Sequence, residues 1–124
     1  MSTISATAVT LPELAEGELY AGILIGKDGA ASQHIILLPG AADEVNWDDA
    51  KAWAASIGGE LPTRREQALL YANLPEQFER DWYWSGEAHR ESGWAWSQTF
   101  DNGHQSSSHQ SYELRARAVR RLSI

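Results

Sequence analysis

The sequence predicts an α+β fold: two helices packed on a looped antiparallel sheet, with an N-terminal β-hairpin, in one domain. Three observations predict it. Two strand-like runs precede residue 40, two capped helical patterns lie between residues 46 and 75, and alternating aromatic and arginine-rich runs fill residues 82–122. A length of 124 residues suits one domain, and 43% hydrophobic against 22% charged residues is a globular balance.

Residues 1–17 hold few large apolar groups and no period, and read as an irregular lead-in. The domain spans residues 18–124. Residues 18–25 (ELYAGILI) and 33–38 (QHIILL) read as strands joined through Gly26-Lys27-Asp28-Gly29, a turn-forming run. The unbroken apolar run 35–38 implies burial on both faces. Asn46 caps a first helix, with Asp48 and Asp49 favourably placed in its first turn. Trp47, Ala50, Trp53, Ala54 and Ile57 share one face of it, and Gly58-Gly59 ends it. Thr63-Arg64-Arg65-Glu66 is a capping box opening a second helix, with Leu70, Tyr71 and Leu74 as its buried stripe and Pro75 as its limit. Trp82 and Trp84 share one strand face; Trp94, Trp96 and Phe100 share another. Asp101-Asn102-Gly103 signals a hairpin turn. Residues 105–110 read as a polar, serine-rich loop, and residues 114–122 (LRARAVRRL) as one closing strand.

Composition excludes several functions. With no cysteine there is no disulfide, thiolate metal site or cysteine nucleophile. No run approaches the ~20 apolar residues that span a bilayer, and residues 1–10 lack the pattern of a signal peptide. The expected location is the cytoplasm or a phage particle, with no membrane partner. The net charge of −7 sits in residues 1–60, where nine acids face two lysines; residues 61–124 balance eight acids with eight arginines. Direct nucleic-acid binding is therefore disfavoured.

From Trp47 onward five motifs stand in order: Trp47-Asp48-Asp49-Ala50 with Trp53-Ala54; Gly59-Glu60-Leu61-Pro62-Thr63-Arg64; Tyr83-Trp84-Ser85; Trp94-Ala95-Trp96 leading to Phe100-Asp101-Asn102-Gly103; and Arg117-Ala118-Val119-Arg120. In this order they resemble the bacterial and phage domain of unknown function 1566, also called the C-terminal domain of the Legionella collagen-like adhesin. The resemblance covers residues 47–122, about 60% of the chain. It implies a C-type-lectin-like fold, distantly similar to the formylglycine-generating enzymes. Two positions depart from the family pattern: Gly59-Glu60 stand where tryptophan-arginine is common, and Ala118 where cysteine is common. The copper chemistry of the formylglycine-generating enzymes needs a cysteine pair and is not carried over. Neither calcium motif of the lectins is present, and Asn46-Trp47-Asp48 reads as a helix cap instead.

The four histidines, His34, His89, His104 and His109, form no helical pair and read as solvated loop residues, although His104 and His109 are candidates to meet across the serine-rich loop. Ser106, Ser107 and Ser108 lack an orienting acid and a nucleophile elbow. No catalytic residue, metal or cofactor is expected. Trp47, Trp53 and Trp84 are assigned to the core. The candidate binding residues are Trp82, Trp94, Trp96, His89, Arg90, His104, His109 and Tyr112, on or beside the loops at 87–93 and 101–112. Arg117 and Arg120 are expected to pair with acids such as Asp48 or Glu66, leaving Arg115 and Arg121 freer. The leading expectation is a non-catalytic phage or prophage module that binds a protein or glycan. The alternative is an acidic intracellular inhibitor that covers a partner's basic surface through Asp28, Asp43, Glu44, Asp48 and Asp49. A second copy, pairing along the edge of the hairpin at 18–39, is a further candidate partner.

Overall fold

A computed structural model describes residues 10–124. The element order is β1 (Leu19–Leu24), β2 (Gln33–Leu37), β3 (Ala42–Val45), α1 (Trp47–Ser56), α2 (Arg64–Asn73), a 3-10 turn (Pro75–Gln77), β4 (Trp82–Ala88), β5 (Trp94–Thr99), β6 (Gln105–His109), β7 (Leu114–Ala116) and β8 (Val119–Ser123). This is the expected α+β architecture, with both helices packed against two sheets. One sheet has strand order β1-β2-β8 and the other β3-β7-β4-β5-β6. All pairings are antiparallel except a single parallel bridge, Tyr83 to Arg115. The lead-in expected at 1–17 lies outside the described residues for 1–9, as does most of the stretch read for a signal peptide; residues 10–17 form no helix or strand.

Both helix starts form as their side chains dictate. Asn46 Oδ1 accepts the amide of Asp49 at 2.9 Å. In α2, Thr63 Oγ1 accepts the Glu66 amide at 3.1 Å while Glu66 Oε1 accepts the Thr63 amide at 2.8 Å, a complete capping box. Gly58, with φ of +83°, releases the chain after α1.

Two apolar clusters hold the layers. Under α1, Trp47, Ala50 and Ala54 meet Leu38, Leu61, Trp84, Ala95, Ala116 and Ala118. Under α2, Leu70 meets Ala21, Ile35, Leu37, Tyr83, Phe100 and Val119. Ile35, Ile36 and Leu37 are wholly buried, because β2 is the central strand of its sheet and is covered on both faces. The alanines let two large indoles approach: Trp47 Nε1 donates to Ser85 O at 2.8 Å and Trp84 Nε1 to Val45 O at 2.9 Å.

The structure corrects several sequence expectations. Residues 105–110 are not a loop: β6 pairs with β5 over its whole length, and the serines are half-buried. His104 just before β6 and His109 at its far end therefore lie about 17 Å apart at the usual rise, and cannot meet. The closing run is two strands, since the chain leaves the five-stranded sheet after Ala116 and enters the other sheet at Val119. β3 was not foreseen. His34 is not a solvated loop residue: it is buried on β2, and its Nδ1 lies 2.7 Å from the Tyr20 hydroxyl.

The arginine assignments also change. Arg121 holds Glu66 through two bonds of 2.5 and 2.8 Å, while Arg120 pairs with Glu18 and Arg115 with Asp43 and Asp81. Among the described residues Arg117 meets no acid, and it donates to the carbonyls of Gln77 and Leu38. Strand register decides this: β8 turns Arg121 toward the start of α2. The hairpin edge is blunted as well. β1 carries a bulge at Tyr20/Gly22, and Asn73 Nδ2 already occupies Ala21 O at 2.6 Å, which leaves a poor template for a second copy.

Glu66 is 1% exposed, so removing its partner leaves a buried charge. Arg121→Met is expected to lower unfolding free energy by about 3 kcal/mol in urea titration, with the double change Glu66→Met/Arg121→Met recovering part of the loss. Gly59 has no room for a side chain: a Cβ there would stand 2.5 Å from Leu38 Cδ1 and 2.7 Å from Val119 O. Gly59→Ala is expected to cost about 2 kcal/mol, checked by the urea midpoint at unchanged slope.

Candidate functional site

Alternation along β5 turns Ala95 and Ser97 toward α1 and sends Trp94, Trp96 and Gln98 to the other face. Helix α2 covers that face only in part. Gln98 Nε2 donates to Gln67 O at 2.8 Å beneath the helix. Arg64, the first residue of α2, reaches Trp96, with its guanidinium 3.5 Å over the ring. Beyond the helix polar rings meet this face. His89 lies 4.8 Å from Trp96 between centroids, His109 5.6 Å from Trp94, and Tyr112 6.1 Å from His109. Five of the sequence candidates, His89, Trp94, Trp96, His109 and Tyr112, are thus brought together on one surface.

Trp82 and His104 lie elsewhere, and no contact ties Arg90 to that surface among the described residues. Trp82 follows the opposite alternation, on the face of Trp84, and its ring lies 6.2 Å from His104 at the other end of the sheet. Arg90 is exposed in the β4–β5 loop and forms no ion pair among the described residues. His109 Nδ1 lies 2.7 Å from Ser111 Oγ, and no carboxylate orients the ring among the described residues. Ser108 Oγ contacts Ser97 Oγ at 3.1 Å rather than a histidine. Among the described residues no three histidines or carboxylates are grouped to hold a metal, and no helix is long and apolar enough to cross a membrane.

Next to the Arg64–Trp96 stack lies a cleft of about 880 Å³ between the start of α2, the end of the β1–β2 hairpin and the β5–β6 turn. Gln33, Thr63, Arg64, Arg65, Glu66, Glu87, His104, Gln105 and Arg121 supply its polar lining. Of these, the sequence reading singled out only His104 as a site residue. A signal was present: Arg64 and Arg65 put two cations in the first turn of a helix, where the backbone dipole disfavours positive charge.

The acidic candidates divide among three elements. Asp28 is exposed in the β1–β2 loop, and Asp48 and Asp49 lie on α1. Asp43 and Glu44 border a hollow of about 510 Å³ shared with Asp81, Glu113 and Arg115. Cations oppose several acids of the first half: Arg120 meets Glu18, Arg115 meets Asp43, Lys51 meets Asp48 and Arg121 meets Glu60. Compared with protein-family models and with curated proteins, the chain matches none.

Two carboxyls are held below the ordinary range. Glu18 is lowered first by the Arg120 guanidinium and then by the Ala15 amide; Asp81 is lowered first by the Trp82 amide and also by Arg115. Above the ordinary carboxylate range both are ionised in folded and unfolded chains, and their stabilisation is complete. As pH falls, the unfolded chain takes up protons first, and the stabilisation is lost by the time pH has passed the lowered native values. Urea midpoints are expected to fall as pH drops below the ordinary carboxylate range, and Glu18→Gln or Asp81→Asn should each flatten that limb.

Proposed function

We propose that the chain is a non-catalytic binding module on a C-type-lectin-like scaffold, of phage or prophage type, that recognises a protein or glycan through the surface of Trp94, Trp96, His89, His109 and Tyr112. One observation carries the reading. Two tryptophans stand side by side on a rigid antiparallel strand, half-exposed, on the part of the sheet face that α2 leaves uncovered, and each is edged by an imidazole. Such a surface offers flat apolar area at low entropy cost with polar donors at its rim. The β4–β5 loop, and the turn carrying Ser111 and Tyr112, frame it and can vary without disturbing the core.

The acidic-inhibitor reading loses much of its motive. The charge asymmetry along the chain is reduced in space, because second-half arginines pair with first-half acids. A covering role needs unopposed negative charge over a continuous face.

The test pairs a glycan array with affinity capture on the folded chain, using Trp94→Ala and His109→Ala as comparison variants. Binding is expected on at least one of the two, weakened about tenfold or more by Trp94→Ala while the near-ultraviolet circular dichroism stays native-like. Silence on both with folded protein, or full binding by both variants, would remove this surface as the site.

A further inference from the structure

The cleft at the start of α2 contains charged groups that the fold positions but does not use. Arg64 is held from several directions. Its guanidinium stacks on Trp96 at 3.5 Å, and its Nε donates to Gln105 Oε1 at 3.0 Å. Gln105 is fixed in turn, donating to Arg64 O at 2.7 Å and to Gln98 Oε1 at 2.8 Å. The two terminal nitrogens of Arg64 have no hydrogen-bond or carboxylate partner among the described residues. Arg65 gives one nitrogen to Ile25 O at 2.9 Å and likewise meets no carboxylate.

The other charges are committed. Arg121 is engaged by Glu60 and Glu66. Glu87 uses Oε2 to accept the Arg64 amide at 2.5 Å, while its Oε1 has no partner among the described residues. The α2 amides of Arg64 and Glu66 are taken by Glu87 and Thr63, so the donors left at this helix start are the Arg65 amide and the arginine side chains. The cleft therefore presents a preset guanidinium edge, a second cation and one free carboxylate oxygen, within about 880 Å³. That volume is in the range of small-molecule sites.

We propose that this cleft binds a small organic zwitterion of amino-acid type, with its carboxylate on the terminal nitrogens of Arg64 and its ammonium toward Glu87 Oε1. The planar fork of a guanidinium matches a carboxylate in two parallel hydrogen bonds. Stacking on Trp96 and the bond to Gln105 remove the rotamer freedom that an arginine ordinarily loses on binding. Glu87 makes the site selective. Its negative charge repels dianions such as phosphate and sulfate and attracts an ammonium. The cations in the first turn of α2 go against the helix dipole, and local departures of this kind gather at functional sites. The site adjoins the aromatic surface, but its occupancy does not depend on that surface meeting a partner.

The experiment is an amide and indole NMR titration of the full chain with a series of ω-amino acids of increasing length, the matching monocarboxylates and amines, and sulfate and phosphate. Saturable shifts are expected at the Trp96 indole and at residues 63–66, with a dissociation constant of the order of 1 mM for the best-fitting zwitterion. Simple carboxylates should bind more weakly and amines not at all. Arg64→Lys keeps the charge but loses the fork, and should weaken binding about tenfold. Glu87→Gln should abolish the preference for zwitterions over carboxylates while leaving carboxylate binding in place. No saturable shift with any probe, sulfate or phosphate binding as well as the zwitterions, or unchanged affinity in Arg64→Lys would each overturn the proposal.

Discussion

The ion pair between Glu66 and Arg121 ties together more of this molecule than any other single interaction. Glu66 caps α2 through the Thr63 amide, and both of its oxygens also face the Arg121 guanidinium. Arg121 lies on β8, reaches Leu61 O at 3.3 Å and bonds Glu60 at 2.7 Å. One side chain thus joins the second helix, the last strand and the Leu61-Pro62-Thr63 turn. The same turn is pinned to β8 by the mutual backbone bonds of Glu60 and Val119, and to β4 by the Gly86 amide on Pro62 O. Since β8 also closes the sheet against β2, the N-terminal hairpin depends on this junction too. A buried carboxylate with fewer partners would carry a desolvation cost of several kcal/mol, which explains why both oxygens are engaged.

Size governs the rest of the packing. Small residues at Ala50, Ala54, Ala95, Ala116 and Ala118 make room for Trp47 and Trp84, whose indole N–H groups each find a carbonyl. On the opposite face the core turns polar: Gln67, Gln98 and Gln105 form a chain of amide bonds that runs outward from beneath α2 and ends at Arg64. That chain keeps the uncovered end of the sheet rigid without apolar cover. The same construction leaves the tryptophan surface open and sets the guanidinium above it.

Much of the fold was legible because its signals are local. The cap of Asn46, the capping box of Thr63 and Glu66, the glycine after α1, the hairpin turn before Gly103 and the two-sided burial of β2 each depend on a few neighbouring residues and the backbone. Of the candidate residues, alternation assigns Trp94 and Trp96 to one face from the sequence alone, whereas the approach of His89, His109 and Tyr112 to that face comes from the fold. Serine content made β6 look like a loop, because strand formation there is imposed by pairing with β5 and not by propensity.

The sequence by itself determined where the two helices start, where the tight turns fall, and which chemistries are excluded by the lack of cysteine. Tertiary structure decided which charge meets which. Arginines 115, 117, 120 and 121 are nearly equivalent in sequence, yet one is bound to a buried glutamate, one to a half-buried glutamate, one to surface aspartates and one serves carbonyls. The break between β7 and β8 sets that choice by moving the chain from one sheet to another, and no residue-level pattern encodes where a side chain lands after such a crossing. The cleft has the same origin. Its walls come from α2, the hairpin and the β5–β6 turn, segments far apart in the chain, so its free guanidinium edge emerges only when the layers close.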